Sequence, residues 1–130
     1  MRKSYDERAR GLVGSKFRSQ GREPALGLDC AGLIIATFEL QQSQFRSDYQ
    51  LRGDHRRELQ RAMARNFRRI ACPQCRTGDV MLLQVARDQF HLAVKTGGGF
   101  VHADAGLRKV VETPGSPKWK IVATYRRRAR

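Results

Sequence analysis

A chain of 130 residues has room for one domain with a core of its own, and 40% hydrophobic residues in regular patterns exclude a disordered polymer. Against 12 Asp and Glu stand 26 Lys and Arg, a net charge of +14 that suits anionic partners and says nothing of fold. No apolar run approaches the ~20 residues of a membrane span, and the 3 cysteines are too few, and odd in number, for a disulfide framework.

Residues 5–15 pattern as a short amphipathic helix, with Ala9, Leu12 and Val13 on one side. Residues 17–28 hold Gly21, Pro24 and Gly27 and read as an ordered loop. From Asp29 the spacing turns helical, with Cys30, Leu33, Ile34, Thr37 and Phe38 recurring at three and four residues. Asp29 is a good N-cap, which places Cys30 in the first turn of a helix that fades near 41–44. A second helix is expected over 54–69, capped by Asp54, with Leu59, Met63 and Phe67 four apart and its other faces studded with Arg. Cys72-Pro73-Gln74-Cys75 breaks it, and beyond Gly78-Asp79 the period becomes that of strands: 80–85, 90–95, 99–103, 107–111 and 118–125. Helices followed by antiparallel strands predict the α+β class, with N-terminal helices on a small antiparallel sheet of about five strands. The expected organisation is a single domain over 1–130 whose last residues, 126–130, form a basic tail.

The chemistry points to Cys30. A helix start favours the thiolate, which is the nucleophile, although most buried cysteines are merely small hydrophobes. A base is needed, and the 3 histidines differ in setting. His55 sits beside Asp54 and Arg56 on a polar helix start and reads as a surface residue. His91 and His102 fall on consecutive strands joined by a Gly-rich turn, so the parity of that turn decides whether they share a face. A two-residue turn sets His91 opposite His102. A four-residue turn over 96–99 sets His102 opposite residue 93, still on the His91 side, and a three-residue turn separates the rings. The two-residue hairpin is the commonest connection and favours a shared face. On that geometry His91 takes the Cys30 proton, His102 orients His91, and backbone N–H groups at the helix start hold the oxyanion.

These residues carry a resemblance. Gly27-Leu28-Asp29-Cys30-Ala31-Gly32-Leu33-Ile34 resembles the helix start of NlpC-type papain-like cell-wall cysteine peptidases. Gly78-Asp79-Val80-Met81 is similar to the strand before their catalytic His, Phe90-His91-Leu92-Ala93-Val94 to the strand that carries it, and Gly99-Phe100-Val101-His102-Ala103 to the strand of their third polar residue. Gly14-Ser15-Lys16-Phe17-Arg18-Ser19-Gln20-Gly21-Arg22 is similar to the branch found in bacteriophages and gene transfer agents. The four motifs in order span nearly the whole chain. The resemblance implies a papain-like NlpC fold and hydrolysis of peptidoglycan stem peptides at D-γ-glutamyl–diaminopimelate bonds. It also implies a tail-associated role in wall penetration, with tail proteins as partners, and recognition of the stem-peptide amine by Asp29. No cofactor or metal is implied. The start of the sequence carries no apolar secretion core, so synthesis in the cytoplasm and action on the wall from the virion is the expectation. Two departures stand out. Phe17 replaces a Tyr of many relatives and cannot supply its hydroxyl, and Ala31 replaces the commoner Ser.

The rivals are distinct. A structural zinc site wants four ligands, and Cys72 and Cys75 form one pair only. A basic nucleic-acid-binding or structural tail protein on an inactive papain-like fold would use the charge. Yet no recognition motif accompanies it, and aromatics are not interleaved with the basic runs, which weighs against nucleic acid. Related papain-like domains also act as amidases or acyltransferases.

Overall fold

The computed structural model describes residues 3–18, 21–23, 27–41, 55–71, 75–87 and 89–128. In chain order these form α1 (Tyr5–Gly11), β1 (Arg22–Glu23), β2 (Gly27–Leu28), α2 (Cys30–Phe38), α3 (His55–Asn66), β3 (Phe67–Ile70), β4 (Val80–Ala86), β5 (Gln89–Lys95), β6 (Gly99–Asp104), β7 (Lys109–Pro114) and β8 (Lys120–Arg127). β1 and β2 make a two-stranded pair; the remaining strands form one sheet in the order β3-β8-β4-β5-β6-β7, antiparallel throughout. The class is the α+β expected.

Several local outcomes differ from the sequence reading: β1 and β2 fall within the loop expected over 17–28, and β7 spans Lys109–Pro114 where 107–111 was expected. Helix α1 stops at Gly11 because the backbone beyond it is claimed by the sheet: Gly14 N donates to Val110 O at 2.9 Å and Val110 N to Ser15 O at 2.8 Å. The second helix ends at Asn66, where the chain enters a sixth strand, β3. Phe67 continues the Leu59 and Met63 spacing, yet it reaches the core from a strand paired to β8. Both β3 and β8 leave that junction tied, since Arg128 N and Arg127 Nη1 donate to Asn66 O. Finally, β8 runs through Arg127, so the first two residues of the expected basic tail belong to the sheet. The Asp54 cap, the fading of the first long helix over 42–44 and the break at 72–74 lie outside the described residues.

Helix α2 is the centre of the molecule. Asp29 caps it, its Oδ1 accepting from Gly32 N at 2.8 Å, and Glu39 closes it with φ 55°. Eight of its nine residues, all but Ala36, are buried, as an apolar helix inside a core must be. It packs with Leu59, Met63 and Phe67 against Val80, Leu82, Leu92, Val94, Val101 and Ala103. The alternate strand residues Met81, Leu83, Ala93 and Phe100 form a smaller cluster on the other side of the sheet. Asp79, 2% exposed, accepts from Arg126 Nε and Nη2, each at 2.9 Å, and from Arg76 N at 2.7 Å. This two-pronged bond ties the segment entering β4 to β8 and satisfies a carboxylate that burial would otherwise penalise.

The position of the α2 start depends on two glycines. A Cβ on Gly32 would strike the carbonyl oxygen of Gly21, and one on Gly21 would strike that of Gly27. Alanine in a helix interior gains ~1 kcal/mol over glycine by propensity, but overpacking against backbone costs ~1–3 kcal/mol or more. Gly32→Ala should therefore lower the urea midpoint, whereas Gly97→Ala, which meets nothing within 4 Å, should shift stability by no more than ~0.5 kcal/mol. A Gly32→Ala midpoint at or above wild type would mean that the segment around Gly21 yields freely.

Candidate active site

One end of the sheet opens into a cavity of about 460 Å³. Its walls come from Val85 at the end of β4, residues 89–91 at the start of β5, residues 102–104 at the end of β6, and Trp119 before β8. Phe17 and the first turn of α2, with Asp29 and Cys30, complete it. Cys30, His91, His102 and Asp29 are thus brought to one cavity. His55 opens α3 instead, and its side chain is outside the described residues.

Register explains the histidines. Lys95 pairs with Phe100 and Ala93 with His102, which is the register of the four-residue turn over 96–99 and not that of a two-residue turn at 96–97. Thr96 holds this turn: its N donates to Gly99 O at 2.9 Å, its Oγ1 accepts from Gly99 N at 3.1 Å and donates to Glu112 Oε2 at 2.8 Å. The even count keeps both rings on one face. His91 Nε2 and His102 Nδ1 lie 3.1 Å apart, with ring planes at 89°. His102 Nε2 is 3.0 Å from Thr113 Oγ1. Phe100 and Trp119 flank His102, at 5.0 and 5.9 Å between ring centroids, and His102 is 2% exposed.

Cys30 occupies the first position of α2 and is 6% exposed. Its backbone N–H is among those at a helix start that have no intrahelical acceptor. Asp29 lines the cavity while serving as the cap, 4% exposed. Phe17 stands in the wall and presents only hydrocarbon. Asp104, Thr113 and Trp119 were not legible as neighbours of the histidines, because strand register places the first two and the approach to β8 places the third. Among the described residues no group of three His, Cys, Asp or Glu side chains is placed to hold a metal. Cys72 is outside those residues, and Cys75 Sγ lies 3.8 Å from Thr124 Oγ1. No helix among the described residues is long and apolar enough to cross a membrane.

Burial is the main force on His91. It holds the imidazole pKa down to about 4, helped by the neighbouring His102 and opposed by the carboxylates of Asp104 and Asp29. His102 is lowered too, by burial against the pull of Asp104. Both rings are therefore neutral at pH 7, and a neutral ring is what a base requires. Between pH 6.5 and about 4 the unfolded chain takes up a proton on His91 that the folded chain refuses, so stability falls as pH drops through that window. In Cys30→Ala, where no thiolate can hold an imidazolium, NMR titration should give His91 a midpoint near 4. A midpoint at or above 6.5 would contradict the burial argument.

No protein-family model matches the sequence, and no curated protein matches it. Among solved structures, the NlpC/p60 domain of the peptidoglycan hydrolase SagA is similar, with a TM-score of 0.59 at 18% sequence identity over 85% of this chain and 86% of that one. At that identity the likeness establishes architecture: the chain has the papain-like NlpC/p60 fold.

Proposed function

We propose that this protein is a cysteine peptidase of the NlpC/p60 kind that hydrolyses amide bonds in peptidoglycan stem peptides, with Cys30 as nucleophile, His91 as base and His102 as its orienting partner. The observation that carries the reading is the 3.1 Å contact between His91 Nε2 and His102 Nδ1 in the cavity that Cys30 also lines. Engagement of Nε2 leaves Nδ1 of His91 for proton transfer with the thiol. Cys30 Sγ would add to the scissile carbonyl carbon as His91 takes the thiol proton. The oxyanion would accept hydrogen bonds from N–H groups at the α2 start, where the helix dipole also favours negative charge. Collapse breaks the C–N bond, His91 returns the proton to the leaving amine, and a thioester on Cys30 remains. Water, deprotonated by His91, then releases the acid and restores the thiol.

The solved neighbour is named a peptidoglycan hydrolase, which supports the substrate class. The cavity adds a chemical reason. Among the described residues that line it, the charged ones are Asp29 and Asp104, which suits a substrate bearing an amine, such as the stem-peptide N-terminus. Phe17, Phe90 and Trp119 supply apolar wall around it. Cleavage between D-γ-glutamate and diaminopimelate, recognition of the amine by Asp29, and a place among phage-like tail proteins that act on the wall from outside rest on the sequence resemblance at 14–22 and 27–34.

The Arg-rich face of α3 supports the rival of a non-catalytic binder: Arg57, Arg61 and Arg65 recur at four-residue spacing, all exposed. The two readings separate on one substitution. Mass spectrometry of stem-peptide fragments should show cleavage by wild type, and loss of cleavage in Cys30→Ala with folding and sacculus binding intact. Intact fragments after incubation with folded wild-type protein, or full activity of Cys30→Ala, would overturn the peptidase reading.

A further inference from the structure

His91, His102 and Thr113 are spaced eleven residues apart and lie on one diagonal across β5, β6 and β7. His102 pairs with Ala93 on one side and Val111 on the other. His91 stands two positions before Ala93 and Thr113 two positions beyond Val111, so all three side chains project from one face. The spacing is a consequence of register, repeated at both strand boundaries. Among the described residues, the ring nitrogens of His102 meet His91 at one end and Thr113 at the other.

We propose that Thr113 is a positioning residue of this site: its hydroxyl oxygen accepts the Nε2 proton of His102 and so fixes the tautomer on which His91 depends. Proton count decides the direction of each bond. As a neutral base His91 must keep Nδ1 unprotonated, which puts its hydrogen on Nε2. As the imidazolium formed after taking the Cys30 proton, it still carries hydrogen on Nε2. In both states, therefore, His91 donates and His102 Nδ1 accepts. A neutral His102 that accepts at Nδ1 bears its proton on Nε2 and needs an acceptor there. Thr113 Oγ1, at 3.0 Å, is that acceptor. Were Thr113 the donor, the proton of His102 would sit on Nδ1 and His91 would have to accept at Nε2. Its hydrogen would then block Nδ1, and Cys30 would have no base. His102 is 2% exposed, so bulk water does not replace a missing partner, and a buried N–H without an acceptor is costly. Thr113 is not among the residues that line the cavity; it acts through His102.

The catalytic consequence rests on the peptidase reading, whereas the tautomer does not, and the test uses both. Thr113→Val keeps the shape and removes the acceptor; Thr113→Ser keeps the acceptor and removes a methyl. Imidazole ¹⁵N NMR reads the tautomers directly, and kinetics on the soluble stem tripeptide alanyl-γ-glutamyl-diaminopimelate read the consequence. In wild type and Thr113→Ser, His102 should be the Nε2–H form. In Thr113→Val it should shift toward Nδ1–H, with kcat falling about tenfold or more and KM little changed, in the range that partners of functional histidines show at metal sites. An unshifted His102 tautomer in folded Thr113→Val overturns the proposal, as does Thr113→Ser impaired as much as Thr113→Val, since the methyl would then be what matters. If wild type cleaves nothing while the tautomer still shifts in Thr113→Val, the proton assignment stands and the peptidase reading falls.

Discussion

Lys95 pairs with Phe100, and the geometry of the histidine pair follows from that pairing. Strand side chains alternate, so a slip of one residue would send His102 to the opposite face and leave His91 without its neighbour. The four-residue turn that sets the register is held by Thr96, bonded to both Gly99 and Glu112. Gly99 is confined in the same place, for a Cβ there would strike the carbonyl oxygen of Thr113. The turn, the register and the backbone around Thr113 are thus one packed unit. It lies at the opposite end of the strands from the cavity and still governs where the rings stand.

The second wall of the cavity is built by different means. Asp29 satisfies an N–H of the α2 start, and the Gly21–Gly32 contact lets the preceding segment press against the first turn. Cys30 is carried to the cavity by that arrangement, on a helix buried along nearly its whole length. For the nucleophile proposed, that burial matters, because a displacement of ~1 Å can cost 10²-fold in rate. Where the two walls meet, burial keeps both imidazoles neutral against the pull of Asp104. The positive excess of the chain lies elsewhere, on exposed positions such as Arg57, Arg61, Arg65 and Arg68.

Much of this was written in the sequence. The strands expected over 80–85, 90–95 and 99–103 agree with β4, β5 and β6 to within a residue, because alternating apolar positions bounded by Gly and Asp leave little choice. The start of α2 was equally plain, since Asp before an apolar helical pattern is a strong cap. Other features depended on contacts distant in sequence. Phe67 fits the spacing of α3 and was drawn into β3 by pairing with β8, and the residues after Gly11 were drawn out of a helix by β7. The parity of the histidine turn was legible although its register was not: a two-residue turn at 96–97 yields to the register that Thr96 holds. Thr113 and Trp119 carry no local signal of their place, since one is reached by counting register twice and the other by the approach to β8.

The proposed chemistry needs a base on β5 that is oriented by a ring on β6 for a thiol on α2. It is tested most directly by kcat/KM on a soluble stem peptide across substitutions at the two histidines, with folding checked by circular dichroism. The account predicts near-background activity for His91→Ala and a loss of about 10²-fold for His102→Ala, since positioned acid–base groups contribute about 10²–10⁴-fold. His102→Asn or His102→Gln should recover part of that loss, because an amide oxygen can still accept from the Nε2–H of His91. Wild-type activity in His102→Ala would contradict the account, for the 3.1 Å contact between the rings would then have no part in the chemistry.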